Sequence, residues 1–173
     1  MARLIDRRRV SLPTCGVRAR LPGSMPFPGR YVVEHIEVVA WKVAYHPYFL
    51  EWFEESVNVD VEVAGEIQAL IDAVASHGRD LGDPESHPVV TSRLGLRALR
   101  RTPPTSVTFS ADGPPVIRVL YGFVAPARGE LRAVLLLGGD KTDLGNRWYP
   151  TNLAEAERRL TVFAAQQGWR IVR

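Results

Sequence analysis

The side chains best equipped for chemistry in this 173-residue chain are its cations. Arg93, Arg97, Arg100 and Arg101 crowd one stretch, and Arg118 lies in an apolar run. Lys141 follows a second apolar run, and Arg147 precedes Trp148 and Tyr149. Cations interleaved with aromatics suit RNA, because phosphates need Arg or Lys while splayed bases stack on rings or guanidinium planes. A basic solvated face with Trp148 and Tyr149 packed in the core has the same pattern, and spacing does not separate the two. Other chemistries fit less well. The histidines, His35, His46, His77 and His87, show no metal-ligand spacing, and Cys15 is the sole cysteine. No metal site and no internal disulfide are therefore expected. Gly138-Gly139-Asp140-Lys141-Thr142 looks at first like a phosphate loop, but Asp140 stands before the lysine where a nucleotide-hydrolysing loop needs glycine. No cofactor is expected.

A chain 46% hydrophobic with mean hydropathy −0.08 has ordinary globular composition. No apolar run reaches the ~18–20 residues of a membrane span. Residues 1–30 hold seven Arg against one Asp and are punctuated by Pro13, Pro22, Pro26 and Pro28, which reads as a loose basic arm ahead of a single domain over 31–173. Arg7-Arg8-Arg9 imitates a twin-arginine signal, but Pro13, Arg18 and Arg20 break the apolar region an export signal requires. The cytoplasm is the expected compartment, and a start at Met25 is the alternative to a functional arm. Residues 31–90 hold two cations against twelve acids, and residues 91–173 hold thirteen against six. Two faces with different partners are one reading of that split, a surface that averages out the other.

A strand is expected over Val39–Ala44. A helix over Tyr48–Ser56 follows, with Phe49, Trp52 and Phe53 on its buried side. Asp60 suits an N-cap, and a second helix to about Ser76 carries the stripe Ala64, Ile67, Leu70, Ile71 and Val74. After a loop over Gly82–Pro88 come strands at Leu94–Arg100, Ile117–Val124 and Leu131–Leu137, the last two an antiparallel hairpin stopped by Gly138-Gly139. A helix over Leu153–Gln166 ends before Gly168. This order predicts an α+β fold, with an antiparallel sheet covered on one face.

Three blocks carry a family resemblance: Ile117–Phe123, Ala133–Thr142 and Arg147-Trp148-Tyr149. Together they resemble the RelE/HigB-type toxins of bacterial type II toxin–antitoxin systems. The likeness spans about Val38–Phe163. It implies a RelE-like fold, with two N-terminal helices and a C-terminal helix packed on a small, mainly antiparallel sheet. It also implies a growth-inhibiting toxin that cuts mRNA, usually on the ribosome, and is silenced by a cognate antitoxin, expected here to be a helix-turn-helix protein of HigA type. Arg100 and Arg118 match strand arginines of the family, Lys141 matches a cation after the last core strand, and Tyr149 falls near a tyrosine often involved in catalysis. Two departures stand out. Ala98 replaces the usual acidic residue, and the segment from Pro103-Pro104 to Pro114-Pro115 lengthens one connection.

Metal-free RNA cleavage drives the ribose 2′-OH onto the adjacent phosphate, which takes a proton acceptor, a proton donor and positive charge around the phosphorane. Arg100, Arg118 and Lys141 are expected to supply that charge, and Tyr149 to move a proton or stack on a base. Arg93, Arg97, Arg101, Arg147 and Trp148 are expected to line the RNA path. Asp140 would orient Lys141 or cap a turn, and His87 would reach the site or sit in a solvated loop. The acidic helices are expected to face away from RNA. A gyrase inhibitor of ParE type, and a non-catalytic partner-binding or decayed relative, are the competing functions.

Overall fold

The computed structural model describes residues 41–101 and 115–173. The basic arm over residues 1–30, the Met25 alternative and most of the proline-flanked insertion lie outside the described residues.

The first strand, β1 (Lys42–Tyr45), leads into α1 (Pro47–Val59), which starts with its proline at the first helical position, where no amide is needed. The helix runs three residues past Ser56. Asp60 then ends α1 and starts α2 (Val61–His77), its Oδ1 accepting from the Glu62 and Val63 amides at 2.9 and 3.1 Å. Asp60→Ala should therefore cost about 0.5–2 kcal/mol, read as a lower midpoint in urea at unchanged slope. Val63, Ile67, Leu70, Ile71 and Val74 are buried, as the 3.6-residue stripe requires.

Next come β2 (Ser86–Pro88), β3 (Arg97–Arg100), β4 (Ile117–Ala125), β5 (Arg132–Asp140), α3 (Trp148–Gln167) and β6 (Arg170–Val172). The fold is α+β, with three helices and a mixed, mostly antiparallel sheet of six strands among the described residues. Its order is β1-β5-β4-β3-β2, with β6 pairing β4 beyond the end of β3. The expected β4–β5 hairpin is present, while β1 pairs β5 in parallel. None of the described helices is long and apolar enough to cross a membrane.

Several expectations need correction. The sheet is covered on both faces. Leu99, Val119, Tyr121, Phe123 and Leu135 pack under α1 and α2, whereas Ala98, Leu120, Val124, Val134 and Leu136 pack under α3. Every residue of β4 is buried, as in a strand sandwiched between layers. Gly138 and Gly139 do not stop β5, which runs to Asp140. They are glycines because rings lie on them: a Cβ at Gly138 would fall within the Trp52 indole, and one at Gly139 would lie 3.1 Å from Trp148 Nε1. The C-terminal helix starts at Trp148 rather than Leu153, and its Pro150 falls in the first turn, where proline is tolerated. Gly168 ends it in the left-handed conformation, φ 65°.

Strand β5 holds one irregularity. Leu120 pairs with Leu137 but Tyr121 with Leu135, so Leu136 is an extra residue and the register shifts. Such a bulge reverses the alternation of faces. Ala133 and Leu135 belong to the α1–α2 side, yet beyond the bulge Leu137 packs with the α3 side and Gly139 lies against Trp148. The strand thereby delivers Lys141 beside α3.

Candidate active site

At the end of the sheet where β3 and β5 finish and β4 and α3 begin, an open cleft of about 440 Å³ is lined by Arg100, Arg118, Lys141, Tyr149 and His87. All four expected catalytic side chains line it, brought there by four different elements. Arg100 and Arg118 are directly paired across β3 and β4. The adjacent Arg101 N–H donates to Ile117 O at 3.4 Å. By the alternation of an antiparallel ladder, Arg100 and Arg118 thus form a non-hydrogen-bonded pair, the closer kind, with Cα atoms about 4.5 Å apart. Like charges directly opposed destabilise a sheet.

Arg118 is 7% exposed. Its Nη1 donates to Ile117 O at 2.7 Å and Arg101 O at 3.2 Å. Burial pushes its pKa below the ordinary arginine value; the Tyr149 oxygen facing the guanidinium opposes that and Arg100 adds to it. Lys141 is likewise held below its ordinary value, first by burial and then by Arg118 and Arg100. Its Nζ lies 5.6 Å from the centre of the Tyr149 ring. Asp140 does not orient it. That carboxylate caps the turn, accepting from the Val116 amide (3.0 Å), the Thr142 amide (2.8 Å) and the Thr142 hydroxyl (2.6 Å).

Three mutually repelling cations in one cleft, beside the first turn of a 20-residue helix, form an arrangement that an anion would relieve. Added inorganic phosphate at matched ionic strength should raise the melting temperature of the wild type. It should do so much less in Arg100→Ala or Lys141→Ala, because a ligand stabilises only the state that binds it.

The expected RNA-lining residues divide. Arg97 and Arg101 alternate with Arg100 along the chain and so face α1 and α2, away from the cleft. Arg97 donates to Leu81 O (2.6 Å) and Ser86 Oγ (2.9 Å), within a buried group that includes the Tyr121 hydroxyl. Burial raises the pKa of that phenol, partly offset by Ser86 and Arg97. Arg101 is paired with Glu66 of α2, Nη2 to Oε1 at 3.0 Å. Trp148, 3% exposed, is core packing against Gly139 and the α3-side cluster, and a buried ring cannot stack on a base. Arg93 and Arg147 are exposed, in the loop before β3 and just ahead of α3, outside the cleft lining. The acidic helices α1 and α2 cover the sheet face opposite Arg100 and Arg118.

Two residues were undervalued by sequence reasoning. His87 stands on β2 rather than in a loop, and Asp83 reaches both its ring and Arg100. A three-residue strand has no period to read, so only its pairing with β3 reveals the placement. A second open hollow, of about 530 Å³, lies near the β4–β5 turn; among the described residues Arg170 is the one charged residue lining it. Among the described residues no group of His, Cys, Asp and Glu could hold a metal ion. Comparison with protein-family models, curated proteins and solved structures returns no match to this chain.

Proposed function

We propose that this chain is a RelE/HigB-type toxin, an endoribonuclease that cuts mRNA on the ribosome and is held inactive in the cytoplasm by a cognate helix-turn-helix antitoxin. The observation that carries this reading is the meeting of Arg100, Arg118 and Lys141, distant in sequence, with Tyr149 around one cleft. The family resemblance of residues 117–149 supplies the reaction: attack of a ribose 2′-OH on the adjacent phosphate, leaving a 2′,3′-cyclic phosphate and a 5′-hydroxyl. The phosphorane carries more charge than the ground-state diester, so fixed cations favour the transition state over the substrate. Arg100 presents a planar fork to two phosphate oxygens, Lys141 a point charge to a third, and Arg118 a fixed positive background from beneath. Tyr149, a neighbour of Lys141 and Arg118, donates a proton to the departing 5′-oxygen in this reading.

The test is cleavage by the purified full chain of mRNA on programmed ribosomes, with the ends of the products identified. Cyclic phosphate and 5′-hydroxyl ends that vanish in Lys141→Ala support the reading. Intact mRNA together with gyrase-trapped broken DNA would replace it with the ParE-type function. Intact mRNA, unbroken DNA and harmless expression would leave a non-catalytic partner-binding protein.

A further inference from the structure

We propose that His87, held by Asp83, is the proton acceptor of the cleft. This rests on the nuclease reading and adds to it the base that the cations cannot provide. Arginine and protonated lysine have no lone pair to offer, and apart from His87 the other described lining side chains are hydroxyls or apolar. Among the described residues that line the cleft, His87 is the one imidazole, a ring whose neutral form offers a nitrogen lone pair.

Its orientation follows from register. His87 is paired with Ala98 across β2 and β3, and directly paired residues share a face. Ala98 packs on the α3 side, two residues before Arg100. His87 therefore points where Arg100 and Arg118 point, and it lines the cleft together with Ala98. Ser86, one residue earlier, turns to the other face and joins Tyr121 at 2.7 Å.

The tautomer follows from Asp83. His87 Nδ1 lies 3.2 and 3.3 Å from the two carboxylate oxygens, and only a protonated nitrogen is compatible with that acceptor. In the neutral ring Nε2 then carries the lone pair. Asp83 Oδ1 also accepts from Arg100 Nη1 at 3.3 Å, so one carboxylate ties the base to the phosphate-binding guanidinium. The charged and titratable groups around the imidazole are thus Asp83 from the preceding loop, Arg100 from β3, Arg118 from β4, Lys141 after β5 and Tyr149 from α3. In the step itself, the 2′-OH proton passes to His87 Nε2 as the O2′–P bond forms. The P–O5′ bond breaks, and the 5′-oxygen takes a proton from Tyr149. Solvent then restores both groups. Asp83 acts through His87 and is a positioning residue.

Single-turnover cleavage of mRNA on programmed ribosomes, followed from about pH 5 to pH 8 where histidine changes charge, tests this. His87→Ala should slow cleavage about 10²–10⁴-fold, abolish the rise of rate with pH, and regain activity with added imidazole. Asp83→Asn should slow cleavage, since its amide can donate to Nδ1 and no longer fixes the tautomer with the lone pair on Nε2, and Asp83→Glu should regain part of the rate. His87 is half-exposed, and an unchanged melting temperature of His87→Ala would confirm that the variant folds. His87→Ala cutting at the wild-type rate and with the wild-type pH profile overturns the proposal and leaves the nuclease reading standing. A wild-type chain that leaves the mRNA uncut overturns both.

Discussion

Lys141→Ala should lower RNA cleavage about 10²–10³-fold, the usual cost of deleting one electrostatic contact to a transition state, without destabilising the fold. The two halves of this result share one cause. The ammonium sits in a cleft already occupied by two guanidinium groups, and folding lowers its pKa. A base whose pKa falls on folding is disfavoured in its charged form at every pH below that value, and the penalty fades as pH rises through it. At neutral pH the lysine therefore contributes no stability through its charge. Its removal should leave the thermal midpoint unchanged or slightly raised, the pattern expected where a site retains repulsion for the sake of function. Melting curves and single-turnover rates on the same preparation check both halves. A variant that loses activity and stability together would instead mark Lys141 as structural.

Leu160→Ala should have the largest effect on stability, about 2–5 kcal/mol, as for other fully buried leucines. Leu160 is wholly buried at the centre of the α3-side cluster. It lies so close to the sheet that a Cβ on Gly122 would come within 2.7 Å of its Cδ2. Gly122 offers no side chain to relax into the void, so the cavity should persist and the cost fall in the upper half of that range. Because α3 also presents Tyr149 to the cleft, activity should fall only as the folded fraction falls. Rates corrected for that fraction by urea titration should stay within a few-fold of wild type. A deeper loss would show that the packing of α3 positions Tyr149 more tightly than the geometry implies.

The fold was legible in sequence where one physical signal dominated. Asp60 and Gly168 announced helix ends through capping chemistry, and the apolar runs of β4 and β5 announced strands. The parallel β1–β5 pair was not legible, because its partners are some ninety residues apart and no local pattern encodes such a register. The three-residue strands β2 and β6 were too short to show a period. Gly138 and Gly139 read as breakers, since the sequence does not reveal that Trp52 and Trp148 would cover them.

The site divides in the same way. That Arg100, Arg118, Lys141 and Tyr149 would meet depended on the register of β3 against β4 and on the bulge in β5, both tertiary. That Arg97 and Arg101 would part from Arg100 was available from alternation alone, since residues an odd number apart on a strand face opposite sides. The ring of Trp148 would suit a stacked base, yet its place at the start of an amphipathic helix sends it to the core. His87 could be placed only once β2 was known to pair with β3.

Mapping mRNA 5′ ends after regulated expression in a bacterial host bears most directly on the cationic cleft as a site of RNA cleavage. New internal 5′ ends should accumulate within open reading frames as growth stops, and Arg100→Ala and Lys141→Ala, folded and equally abundant, should produce neither. Growth arrest that persists in both variants, or arrest by the wild type with no new 5′ ends, would contradict it.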